Sequence, residues 1–100
     1  VRSMNLKLMA EYECHPIWDG TPSRNVSLDE LSISDQLRMA VREWNSRFQG
    51  TFDRQNPMAS GFANSTESEA FNEDGRILAI HLSRELGHQV GFVPTGRTKR

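Results

Sequence analysis

The sequence predicts an α+β domain with the order β-α-α-β, two long helices packed on a small, two-stranded, antiparallel sheet. Three observations point there. Leu6, Leu8, Ala10 and Tyr12 alternate with Lys7, Met9, Glu11 and Glu13, a period of two with one apolar face. Leu37, Ala40, Val41, Trp44 and Phe48 recur at helical spacing. A second helical run ends at Gly87 and is followed by Gln89 to Val93, with Val90 and Phe92 on one face.

Taken in order, the first strand gives way to Cys14–Val26, a stretch with Pro16, Gly20 and Pro22 that reads as a loop. Leu28 to Leu31 has room for one helical turn. Ser34 is placed to cap the first long helix, its hydroxyl accepting from a free amide of the first turn. Arg38, Arg42, Glu43 and Arg47 occupy the sides away from the apolar stripe, and Gly50 is expected to end the helix in the left-handed conformation. Gly50 to Ser65 is a long connection with Asn56-Pro57 and Ser60-Gly61 as turn signals; Phe52 and Phe62 are expected to pin it to the core. Thr66 and Glu69 have capping-box spacing at the start of the second helix. Phe71, Leu78 and Leu82 share a face with Gly75, flanked by Ala70, Ile77 and His81. Glycine inside a helix costs about 1 kcal/mol against alanine, so a close approach at Gly75 is expected, with Trp44 lying against Gly75 and Leu78. Alternating directions along such a chain would make the two strands antiparallel neighbours with both helices on one face.

One hundred residues is one domain by size, read as residues 4–94 with tails at 1–3 and 95–100 that are either added or native. The apolar fraction is 36% and the charged fraction 25%, within the range of a globular domain. No run is long and apolar enough to span a membrane, and no secretory signal opens the chain. The single cysteine, Cys14, fits a reducing cytoplasm. Net charge is −1, but setting aside Arg2, Arg97, Lys99 and Arg100 leaves 8 Lys/Arg against 13 Asp/Glu, a net −5. That acidic body argues against nucleic acid as a partner and favours a basic protein. Simple solubility accounts for a charge of this size equally well.

No catalytic or metal constellation stands out. Cys14 and His15 are adjacent, and neighbours in an extended segment point to opposite faces. His81 and His88 complete no familiar zinc spacing. A Cys14–His81 pair has no evident third member. Neither cofactor nor metal is expected, and no enzyme activity. Trp18, in its proline-bounded loop, is either a cap on the core or an exposed anchor.

Met4 to Asp19, Leu31 to Leu37, Asn56-Pro57-Met58-Ala59-Ser60-Gly61-Phe62 and Gly75-Arg76-Ile77-Leu78 together resemble a group of small bacterial proteins, over roughly Met4 to Phe92. The group is similar to the immunity proteins of contact-dependent growth inhibition systems. The resemblance implies a protein that binds the toxin domain of a delivered effector and blocks it in the cytoplasm. Where relatives carry acidic residues before the loop proline, this chain has Gln55-Asn56; the basic tail after Thr95 also departs from the pattern. The leading expectation is therefore neutralisation of a cognate toxin domain, a basic protein and a nuclease, through Glu11, Glu13, Trp18, Asp19, Asp29 and Glu30. The alternatives are a small cytoplasmic enzyme or RNA-processing domain using His15, His81 or His88, and a homodimeric adaptor pairing through its sheet edge.

Overall fold

The computed structural model describes residues 5–20 and 24–96. The expected start at Met4, Pro22 and the basic residues from Arg97 onward lie outside them. Strands β1 (Leu6–Met9), β2 (Ile17–Asp19) and β3 (Arg24–Val26) come first, then helices α1 (Asp35–Gln49) and α2 (Ser65–Leu86), then strand β4 (Gly91–Val93). The sheet has four strands in the order β3-β2-β1-β4, not two. β2 and β3 arise within the segment read as a loop. At three residues each, they are too short for alternation to show.

A second correction concerns direction. β1 and β4 are neighbours, but parallel, with Leu8 opposite Phe92; β1–β2 and β2–β3 are the antiparallel pairs. Parallel neighbours need a long crossover, and everything between Met9 and Gly91 forms it. Counting alternations fails because a helix need not run along the strands it covers.

Leu6, Leu8, Ile17 and Val26 point from the sheet into one core with Val41, Trp44, Phe48, Phe71 and Leu82. Aromatic rings dominate its centre. Trp44 stacks on Phe71 at 4.3 Å between centroids, and Phe62 lies 4.9 Å from Phe71. The Trp44 indole N–H donates to the Phe71 carbonyl at 2.8 Å, which satisfies its polar atom inside the core. Phe62 is buried, and Phe52 stacks on Tyr12 at 4.7 Å, so both phenylalanines do pin the long connection.

At Gly75, α2 closely approaches its neighbours. A Cβ there would fall 2.6 Å from Cζ2 of Trp44 and 2.5 Å from Cε1 of Phe92. Trp44 thus lies where the stripe placed it.

The helix ends follow from their side chains. Ser34 accepts from the Leu37 amide, and Gly87 closes α2 with a left-handed φ of 78°. Two expectations are corrected. α2 is capped by Asn64, which accepts from the Glu67 amide, rather than by Thr66. Gly50 ends α1 at φ −65°, in the right-handed region. The turn expected at Leu28–Leu31 is a 3-10 turn over Leu28–Glu30.

Candidate partner-binding surface

Of the acidic residues singled out in the sequence, Glu11, Glu13, Asp29 and Glu30 occupy short connections around α1 and Asp19 ends β2, and each is held by neighbours. Glu11 and Glu13 lie on the turn after β1. The Gln49 side chain, at the last position of α1, donates to the Glu11 carbonyl and accepts from the Glu13 amide, both at 2.9 Å. Tyr12 between them stacks on Phe48 and shares a 2.6 Å hydrogen bond with the Thr51 hydroxyl. Glu13 takes a left-handed φ of 60°, a conformation that a residue with a Cβ adopts at some energetic cost, held here by these contacts. Its carboxylate lies 3.6 Å from Arg54.

Asp29 and Glu30 sit on the 3-10 turn. Ser27 and Glu30 form a reciprocal capping box, the Ser27 hydroxyl accepting from Asp29 and Glu30 accepting from Ser27. Asp29 contacts Arg42 at 2.6 Å yet keeps a side chain 70% exposed. Arg24 bridges Glu30 at 3.4 Å and Asp19 at 3.8 Å. Asp19 also accepts from the Asn5 amide. Glu11, Glu13, Asp29 and Glu30 therefore border one flank of α1, with Asp19 joined to it through Arg24. Trp18 stands apart. It alternates with the inward-facing Ile17, and its indole N–H donates to the Met9 carbonyl at 3.0 Å.

Sequence reasoning missed the residue that organises this flank. Arg38 reads as a solvated helix charge, but its side chain is only 16% exposed. Its guanidinium donates to the carbonyls of Leu28, Leu31 and Ile33 and to the Asp35 carboxylate. Five fixed donors let one arginine tie the 3-10 turn to the irregular stretch that leads into α1. No sequence signal separates it from Arg42.

A cleft of about 580 Å³ runs between α1 and α2, on the other side of α1 from that flank. Leu37, Ala40, Trp44 and Leu78 line it, with Glu43, Arg47, Asp74, His81 and Glu85 among its polar residues. Glu85 accepts from both the main-chain N–H and the hydroxyl of Ser34, at 2.6 and 2.9 Å. Those two bonds, main chain first, hold its carboxyl below the usual glutamate range.

The histidines do not converge. His81 lines this cleft, His88 lines a separate one between α2 and β4, and His15 is exposed beside Asn25. Burial pushes the Cys14 thiol up, and the carboxylates of Glu11 and Glu13 push it further. It stays protonated near neutral pH, whereas the nucleophile is the thiolate. Among the described residues, no three His, Cys, Asp or Glu side chains are grouped to hold a metal. No helix among them is long and apolar enough to cross a membrane.

A family model described as Serratia CdiI immunity protein-like matches residues 4–93. The chain belongs to this CdiI immunity protein-like family. The match spans β1 to β4 and both helices, so it takes in the acidic flank and the cleft alike. Membership carries an immunity role and implies a cognate toxin as the counterpart. No curated protein matches the chain.

Proposed function

We propose that this CdiI-like chain is an immunity protein that binds its cognate toxin domain in the cytoplasm and neutralises it stoichiometrically, without chemistry of its own. The toxin is a basic protein, a nuclease whose cationic surface faces phosphate. The observation behind the choice of surface is the acidic flank of α1. Glu11, Glu13, Asp29 and Glu30 are exposed or half-exposed; Gln49 holds the main chain of Glu11 and Glu13, the Glu11 carboxylate accepts from the Tyr12 amide, and Arg54, Arg42, the Ser27 capping box and Arg24 hold the carboxylates of Glu13, Asp29 and Glu30. Fixed carboxylates lose less freedom on binding than mobile ones. Asp19 extends the flank through Arg24; Trp18, on the outer sheet face, is left out of the proposed contact.

The test is co-expression with the candidate toxin domain, followed by association rates across a salt series. Protection is expected, with association slowing as salt rises, because exposed charges are screened beyond about 8 Å at physiological ionic strength. Charge reversal at Glu11, Glu13, Asp29 or Glu30 should lower the on-rate more than it raises the off-rate. Salt-independent association, or unchanged on-rates in all four variants, refutes the acidic flank. Absence of protection refutes the immunity reading.

A further inference from the structure

We propose that the cleft between α1 and α2 is the anchor site for the toxin, receiving a short amphipathic segment whose apolar side chains are flanked by Lys or Arg. This rests on the toxin-binding reading above and adds to it a second surface with a different task.

The floor of the cleft is apolar because four core-bordering residues face it. Leu37 and Trp44 belong to the buried stripe of α1, Ala40 supplies only a methyl group, and Leu78 comes from α2. The small side chain of Ala40 is what keeps the space between the helices open near the surface. The volume, about 580 Å³, has room for two or three side chains and lies within the roughly 300–1,000 Å³ of recognition pockets. Large apolar side chains stand exposed around it. Ile77, in its lining, is 42% exposed, and Met39, on the neighbouring row of α1, is 60% exposed. A helix pair with an open apolar seam and exposed lips suits helix-in-groove recognition.

Charge selects the occupant. Arg47, the lining arginine, is matched by Asp74 at 2.7 Å. Glu43 makes no ion pair among the described residues. Glu85 is held by two neutral donors of Ser34, which fix its position and leave its charge. His81 and Arg38 both lie near enough to act on the Glu85 carboxylate. Three lining carboxylates, Glu43, Asp74 and Glu85, face one lining arginine, Arg47, so the rim favours cations beside the inserted apolar groups and disfavours an acidic segment.

The experiment uses a toxin domain whose lethality the wild-type chain relieves in co-expression, purified with its catalytic activity abolished. Binding is measured by calorimetry and by association and dissociation rates. Ala40→Arg fills the cleft and inverts its rim, and arginine is a good helix former. It should weaken binding by about 100-fold, the loss expected of a central anchor, with most of the change in dissociation. Ile77→Lys, at an exposed position, removes an apolar lip and opposes the flanking cations, and provides a second cleft variant should Ala40→Arg fail to fold. Glu43→Lys should weaken binding about tenfold through the rim. Ile80→Arg, in the lining of the separate groove between α2 and β4, should bind as wild type. Wild-type affinity in a folded Ala40→Arg or Ile77→Lys chain overturns the cleft as anchor while toxin binding stands. A wild-type dimer that these variants dissociate, with toxin affinity unchanged, assigns the cleft to a second copy and also overturns it. Failure of the wild-type chain to bind the toxin that it protects against overturns the binding reading itself.

Discussion

Gly75→Ala pits helix propensity against packing, and the structure decides the sign. In an exposed helix the change would stabilise by about 1 kcal/mol, because alanine loses less backbone freedom on folding. Here the new methyl would sit 2.6 Å from Cζ2 of Trp44 and 2.5 and 2.9 Å from Cε1 and Cζ of Phe92. Those separations are about 1 Å inside the 3.5–4.0 Å optimum for carbon–carbon contact. Trp44 cannot easily yield, since it is buried, stacked on Phe71 and hydrogen-bonded to the Phe71 carbonyl. Phe92 is only half-buried, so its ring, on β4, is the part that moves. Overpacking of this kind typically costs about 1–3 kcal/mol, occasionally more. The net expectation is destabilisation by up to about 2 kcal/mol after the propensity gain. Urea unfolding followed by tryptophan fluorescence measures it, and the double variant Gly75→Ala/Phe92→Leu should recover part of the loss. A Gly75→Ala chain more stable than wild type would refute the close approach of α2 to Trp44 and Phe92.

Two further stability predictions use the core and the helix start. Trp44→Ala should cost about 3–5 kcal/mol, a large share of the stability of a small domain, and a urea midpoint close to wild type would contradict its central place. For Glu85, the folded-state value lies below the ordinary 4.5, so its contribution is full above that value and is lost as pH falls through the folded value. Glu85→Gln should therefore flatten the acid side of the stability profile, and an unchanged acid limb would show that the bonds to Ser34 contribute nothing.

The helices were legible because their signals repeat. The stripe from Leu37 to Phe48 recurs over three turns, and Ser34 and Gly87 mark ends by chemistry that needs no distant partner. The start of α2 was ambiguous for a physical reason. Asn64 with Glu67 and Thr66 with Glu69 are both capping-type residues with an acid three positions on, and the helix begins at the earlier pair. β2 and β3 were illegible because local pattern does not hold them. Asn25 donates to the carbonyls of His15 and Ile17 and accepts from the His15 amide, bonds that no periodicity reveals. The parallel pairing of β1 and β4 is likewise a property of the whole crossover. Within the candidate surface, acidic residues could be named from charge alone. The cleft could not, because Ala40 and Ile77 matter only once two helices from distant segments meet.

Helix α1 ties the two proposed contacts together. At 3.6 residues per turn, successive positions are separated by 100°. Leu37, Val41, Trp44 and Phe48 then point into the core, while Gln36, Ala40, Glu43 and Arg47 fall on the cleft side. Arg38, Arg42 and Gln49 fall on the opposite side, where they hold the turns that carry Asp29, Glu11 and Glu13. Asp35 and Met39 lie between these two sectors on the outermost row. One helix clamped by its buried stripe thus fixes the spacing between a steering flank and an anchoring cleft, which limits the ordering cost on binding. The two sectors should then separate kinetically. Charge on the flank sets how often the partners meet, and the cleft sets how long they stay. Neither sector needs to move for the other to act, so flank and cleft variants should combine additively, as expected of sites with no shared contacts.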